Sequence, residues 1–321
     1  MIIIRVPFRI SLFGGGTDFP DFFNKYGGQV ISFTIDKYCY VSFRNLPEFT
    51  EHNIKISYSK IEQCKEISEI EHPLIRTSLK FFKKEKIEIH YDADLPANSG
   101  LGSSSAFAVG LAHGLSIMNN KKTTKRSLAN TAIDWERKIL KENGGYQDQV
   151  ASAYGDFNNI IFSKNDFQVK KMYFNNSFID KLISRIVICY IPRKKLGINL
   201  SSSNTSEIKN IQYLHEISEI TKIGIKKLIS EDIDGVGEMI RKSWEIKKKF
   251  KNMTTEIIND LVSKGLKEGA IGAKLLGAGG GGFIMFFCSE NGKENLVASL
   301  KPFCCIPINI SRKGSEVLFQ N

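Results

Sequence analysis

Leu95-Pro-Ala-Asn-Ser-Gly-Leu-Gly-Ser-Ser-Ser-Ala106 decides how the rest of the chain is read. Gly100 and Gly102 let the backbone turn tightly and come close to a ligand. The serines cap the apolar run 106–118, which is long enough for a buried helix. Free N–H groups at a helix start, together with the helix dipole, make an anion site suited to a polyphosphate. A plain capping turn would account for the same residues. No Lys follows the glycines, so this is not a Walker A loop. Ser105 stands where a Rossmann fingerprint has its third Gly, and Ala106 closes the window of a G-x-S-x-G elbow.

Three further segments carry the same kind of signal. Upstream, Arg5-Val-Pro-Phe-Arg-Ile-Ser-Leu-Phe-Gly-Gly-Gly-Thr-Asp18 is a strand ending in three glycines and a carboxylate. Arg9 could hold a phosphoryl group and Asp18 could accept hydrogen bonds from a polyol; a Gly turn capped by Asp18 is the plainer reading. Downstream, Asn143-Gly-Gly-Tyr-Gln-Asp-Gln149 places Asp148 after a Gly turn, with Glu136 on the preceding helix. Two carboxylates near a phosphate loop suit a metal ligand plus a base for an attacking hydroxyl, although a polar helix cap would look alike. Last, Lys274-Leu-Leu-Gly-Ala-Gly-Gly-Gly-Gly282 runs four adjacent glycines into an apolar strand. A backbone packed tightly on another loop or on a ligand would justify that entropic cost; a flexible strand lead-in is the alternative.

Around these segments, strand patterns occupy residues 2–10, 30–35, 38–44, 54–58 and 86–91, the last alternating Ile87, Ile89 and Tyr91. Helical patterns cover 106–118, 124–143, 206–230, 236–250 and 254–268. Further strands are predicted at 157–162, 169–174, 185–191 and 283–288, and 316–320 reads as a last strand. Strands mixed with helices, without regular βαβ alternation, imply an α+β fold. A soft boundary near Asp180 divides 1–180 from 181–321.

The 321 residues are 42% hydrophobic and 25% charged, ample for a sizeable core. The net charge of +11 attracts anions, but it is spread along the chain without aromatic interleaving, which argues against a nucleic-acid partner. Short runs such as 121–122 and 247–249 read as solvated helix faces or loops. Six cysteines without a CxxC pair or zinc spacing fit a reducing cytoplasm. The longest apolar runs fall far short of the ~20 residues of a membrane span, and residues 1–5 make no secretory leader.

The four segments, in this order, resemble the GHMP kinase superfamily over essentially the whole chain. Phe8-Arg-Ile-Ser-Leu-Phe-Gly-Gly-Gly-Thr-Asp18, Thr34-Ile-Asp-Lys-Tyr38, Tyr146-Gln-Asp-Gln149 and Ser243-Trp-Glu-Ile-Lys247 look like its D-glycero-D-manno-heptose 7-phosphate kinase branch. Fucokinases share parts of the pattern. The resemblance implies a GHMP kinase fold: an N-terminal domain like ribosomal protein S5 domain 2 (1–180, ATP-binding) and a ferredoxin-like C-terminal domain (181–321). It implies ATP and Mg²⁺, a sugar-phosphate acceptor, transfer to the anomeric C1 hydroxyl, and no membrane partner; it leaves a homodimer open.

Carried over residue by residue, Asn98, Ser99, Gly100, Leu101, Gly102, Ser103, Ser104 and Ser105 would wrap the ATP phosphates. Ser104 and Glu136 would meet the metal. Asp148 would take the hydroxyl proton, and Arg9 would sit beside the transferred phosphoryl group. Gly15, Gly16, Asp18, Lys37, Gly279 and Gly280 would face the substrate. Arg193, Lys194 and Lys195 are further candidates for the acceptor's phosphate. This chain departs from the branch at Tyr146, where a Lys is expected, and in 201–206, which lacks an expected Arg. Rival readings are a kinase for fucose, galactose or an isoprenoid acid, or a catalytically silent sugar- or nucleotide-binding regulator.

Overall fold

The computed structural model describes residues 1–97, 99–164, 166–192, 208–277 and 279–321. The first part of the chain runs β1 (Ile2–Phe13), α1 (Pro20–Tyr26), β2 (Gly28–Asn45), β3 (Ile54–Ser57), β4 (Ile61–Cys64), α2 (Pro73–Phe82), β5 (Ile87–Ala93) and α3 (Ser103–Met118). It continues through α4 (Lys125–Ile133), α5 (Gln147–Tyr154), β6 (Phe157–Ser163), β7 (Asp166–Lys171) and α6 (Asn176–Ser184). The second part holds β8 (Ile186–Ile191), α7 (Ile208–Ile229), α8 (Ile233–Lys247), α9 (Glu256–Lys267), β9 (Ala270–Leu275), β10 (Gly282–Cys288), α10 (Lys293–Ser299), β11 (Cys304–Ile306) and β12 (Glu316–Gln320).

β2 organises the larger sheet. Its residues 31–43 pair with β1, its first half also with β6 and its second half with β5. The sheet order is β12-β1-β2-β5-β3-β4, with β6 and β7 beside the start of β2. The strands expected at 30–35 and 38–44 are therefore one strand, joined across a bulge where Pro7 faces Tyr38 but Arg9 already faces Thr34. Pro7 has no N–H to offer the ladder, and the extra residues of a bulge re-aim the chain locally. The Arg9 N–H instead donates to the Leu101 carbonyl at 3.0 Å, tying the strand to the glycine loop.

The smaller sheet is antiparallel, in the order β11-β8-β10-β9. Alternation along β8 sorts its side chains: Ile186 and Ile188 join the main core under the larger sheet, while Val187, Cys189 and Ile191 join a second core with α9 and α10. β12 returns from the second part of the chain to the edge of the larger sheet, beside β1. α2, which no sequence pattern singled out, packs on α3 with Leu74, Ile75, Leu79 and Phe82 buried.

Glu88, on β5, shows how the larger sheet carries charge. It is buried, and Lys55 Nζ lies 2.9 Å away, His90 Nε2 2.9 Å away, with Arg44 also paired. Burial pushes its carboxyl up, but the Lys55, Arg44 and His90 contacts outweigh that and hold it at about 2. A carboxyl depressed in the fold contributes stability that is present above the unfolded value and lost as pH falls towards 2. Glu88→Gln is therefore expected to shrink the drop in urea midpoint between pH 5 and pH 2.5. Equal drops in the two proteins would contradict that.

Candidate active site

The two glycine segments lock together. A Cβ on Gly100 would lie 2.2 Å from the Leu276 carbonyl oxygen, and one on Gly277 would lie 2.4 Å from the Gly100 Cα. The Phe283 N–H donates to the Ser99 carbonyl at 3.0 Å. Gly100, Gly102, Gly277 and Gly282 all take positive φ. Gly277 and Gly282 are thus explained by the first loop, backbone on backbone.

Gly102 then opens α3, whose first residues are Ser103, Ser104 and Ser105. Ser103 and Ser105 are buried and Ser104 is exposed. Ser104 Oγ donates to Glu136 Oε1 at 2.9 Å and Ser105 Oγ to Oε2 at 2.8 Å; Gln149 Nε2 donates to Oε2 at 2.6 Å. Glu136 lies on a π-helical turn, Asp134–Ile139, where the single helix expected over 124–143 departs from α geometry. Such wide turns concentrate at functional sites. This one buries both Trp135 and Glu136.

Asp148, in the first turn of α5, faces the same loop: its carboxylate lies 3.5 Å from where a Gly102 Cβ would stand. Arg9, 3% exposed, donates Nε to Asp148 Oδ1 and Nη2 to Oδ2, both at 2.8 Å, and Nη1 to the Gly100 carbonyl at 2.9 Å. This two-pronged pair fixes the carboxylate's orientation as well as its position. Arg9, Asp148, Glu136 and 99–105 are brought together from four separate stretches.

A cavity of about 220 Å³ adjoins them, lined among others by Gly15, Gly16, Asp18, Arg137, Gln147, Lys247, Lys274 and Gly277. Asp18 is 1% exposed and accepts from the Gly16 N–H at 2.8 Å and the Gln147 N–H at 3.1 Å. Burial, and next the charge of Asp148, push its carboxyl up against those two hydrogen bonds. Lys274 reaches from β9 into the larger sheet's domain and donates to the Ser11 carbonyl at 2.9 Å and the Leu12 carbonyl at 3.2 Å. Burial first, then Lys247 and Arg9, hold its amine well below the usual lysine range.

Several expected residues stand elsewhere. Lys37 does not line the cavity; it sits on the β2 bulge against Asp36, which is in turn hydrogen-bonded by Asn309. Gly279 and Gly280 also lie off the lining and pack on Asn252–Met253. Tyr146 packs edge-on against Phe23. Asn98, Arg193, Lys194, Lys195 and 201–206 lie outside the described residues. Conversely, Lys247 belongs to no solvated run: burial lowers its pKa, and it faces the cavity. The visible hint was a Lys following the apolar pair Trp244 and Ile246 on an amphipathic helix, which reads the same whether its end is wet or buried. No described helix is long and apolar enough to cross a membrane.

The model described as GHMP kinases N terminal domain matches residues 73–156, and that of the GHMP kinases C terminal matches 225–304, together a little over half the chain. The chain is 25% identical over 312 residues to D-glycero-alpha-D-manno-heptose 7-phosphate kinase of Campylobacter jejuni, covering 92% of each. It is 23% identical to a galactokinase of Thermosipho africanus, covering 91% of each. Among solved structures, a D-glycero-D-manno-heptose 1-phosphate kinase from Bacteroides thetaiotaomicron superposes over 100% of both chains with a TM-score of 0.82 at 24% identity. Two locked glycine loops, a serine-started helix and two carboxylates facing it are thus found on a fold shared from end to end, and the chain belongs to the GHMP kinase family.

Proposed function

We propose that this ATP-dependent sugar kinase phosphorylates the anomeric hydroxyl of D-glycero-D-manno-heptose 7-phosphate, giving the 1,7-bisphosphate for nucleotide-activated heptose and surface-polysaccharide synthesis in the cytoplasm. The observation that carries the reading is the Asp148 carboxylate, clamped by Arg9 beside the Gly100–Ser105 loop. The phosphates of ATP would lie on residues 99–105 at the start of α3. Ser104 and Glu136 supply hard oxygen donors at one point, a set that suits Mg²⁺ beside phosphate. When bound, the metal would neutralise charge on the β- and γ-phosphate oxygens.

The chain's own residues do the positioning. Asp148 accepts the acceptor's hydroxyl proton as that oxygen bonds to the γ-phosphorus and the bond to the bridging oxygen of ADP breaks. Arg9 orients Asp148 and supplies compensating positive charge at the loop. Gly15, Gly16 and Asp18 face the sugar.

The relatives' names differ on which phosphate the acceptor carries beforehand, C7 or C1. An acceptor already esterified at C1 has no anomeric hydroxyl to offer, so the position of the new phosphate decides. ADP release is expected to be fastest with heptose 7-phosphate, beside heptose 1-phosphate, fucose and galactose. Phosphorus NMR should then place the new ester on C1. Faster turnover of any other acceptor, or a new phosphate at another carbon, would overturn the assignment.

A further inference from the structure

Most polar groups around the cavity already have partners. Arg9 and Asp148 hold each other, Lys274 sits on two carbonyls, and Asp18 takes two main-chain N–H groups. Arg137 donates to the Gly145 carbonyl. Lys247 differs: among the described residues its Nζ makes neither a hydrogen bond nor an ion pair. Ser11 Oγ and Gln147 Oε1 are likewise buried without a partner among those residues.

The three groups come from three elements, β1, α5 and α8, and meet over one glycine. A Cβ on Gly15 would lie 3.0 Å from Lys247 Nζ, 3.1 Å from Ser11 Oγ and 3.4 Å from Gln147 Nε2. Each buried polar group left unmatched costs free energy, which a ligand atom reaching all three would recover. Gly15 is what keeps the place open.

We propose that Ser11, Gln147 and Lys247 clamp a second hydroxyl of the acceptor sugar and thereby set acceptor specificity. A hydroxyl can accept from the Lys247 ammonium or the Gln147 amide nitrogen and donate to the Ser11 oxygen at once. A dianionic phosphate has no proton to donate, and it would meet the charges of Asp18 and Asp148, which act on Lys247 alongside Arg9. Gln147 precedes Asp148 in α5, so the clamped hydroxyl lies close to the one that reacts. The inference rests on the sugar-kinase reading, not on heptose as the acceptor.

The test uses the full chain, the best acceptor found by ADP release, and that acceptor's monodeoxy analogues. Lys247→Met removes the ammonium. Gly15→Ala fills the place instead, and Gly15 is not among the glycines with positive φ, so its backbone tolerates a Cβ. Both variants are expected to lower kcat/KM for the intact acceptor about 10- to 100-fold, with the KM for ATP unchanged. On one monodeoxy analogue, the one lacking the clamped hydroxyl, the Lys247→Met penalty should vanish. An equal penalty on every analogue, or a shift in the KM for ATP, would overturn the clamp. If galactose or another sugar replaces heptose 7-phosphate as acceptor, the heptose assignment falls and the clamp is tested on that sugar. Turnover on no polyol would overturn both.

Discussion

Asp148→Asn is expected to cut turnover at least ~10²-fold while ATP still binds. The amide keeps the size and one acceptor of the carboxylate, so it can stay on Arg9, but it cannot take a proton from the acceptor. Stability should fall as well. Arg9 is 3% exposed and its guanidinium would lose its counter-charge, retaining the Gly100 carbonyl and one oxygen. Because the Asp148 side chain is 23% exposed, water screens part of that loss, and about 1–3 kcal/mol is the expected range. Single-turnover ADP release well below the melting temperature separates the two effects, and calorimetry reports ATP binding. Near-wild-type turnover would remove Asp148 from the mechanism.

Gly100→Ala is expected to break the contact between the two glycine loops. Position 100 has φ +83°, and its Cβ would stand 2.2 Å from the Leu276 oxygen and 2.8 Å from the Leu276 carbonyl carbon. Both obstacles are backbone, so no side chain can swing away, and relief requires prising the two glycine loops apart. Gly27 supplies the comparison: φ there is +74°, yet a Cβ would meet nothing nearer than 4.0 Å. Gly27→Ala should therefore cost about 1–3 kcal/mol, the conformational part alone at its φ of +74° and ψ of 157°, and leave activity intact. Gly100→Ala should cost about 3 kcal/mol or more and abolish ATP binding, read by urea midpoints and calorimetry. Equal losses for the two variants would mean that the loops do not pack as described.

The readable parts of this protein are those whose backbone makes demands of its own. Gly100, Gly102, Gly277 and Gly282 sit at positive φ, where other side chains are strained, so the loops are written into the sequence directly. Serines at a helix start and period-2 or period-3.6 apolar runs are local in the same sense. From these came the α+β class, the phosphate loop, and Glu136 and Asp148 as the carboxylates to watch. Local patterns failed where pairing or packing overrode them. The two strands 30–35 and 38–44 merge because β1 runs beside both, and the helix over 124–143 widens into a π turn at Glu136, against Ser104, Ser105 and Gln149.

The order of the glycine loops, the carboxylates and the family could be read without coordinates, because each is a short-range constraint on one stretch of chain. Which lysines matter could not. Lys37 and Lys247 are alike as residues in a sequence; one ends on a bulge against Asp36, the other in the cavity. Lys274 earns its place only by reaching carbonyls some 260 positions earlier. Burial of a charge depends on what distant segments stack around it, and the long, flexible lysine stem follows that packing rather than any local pattern.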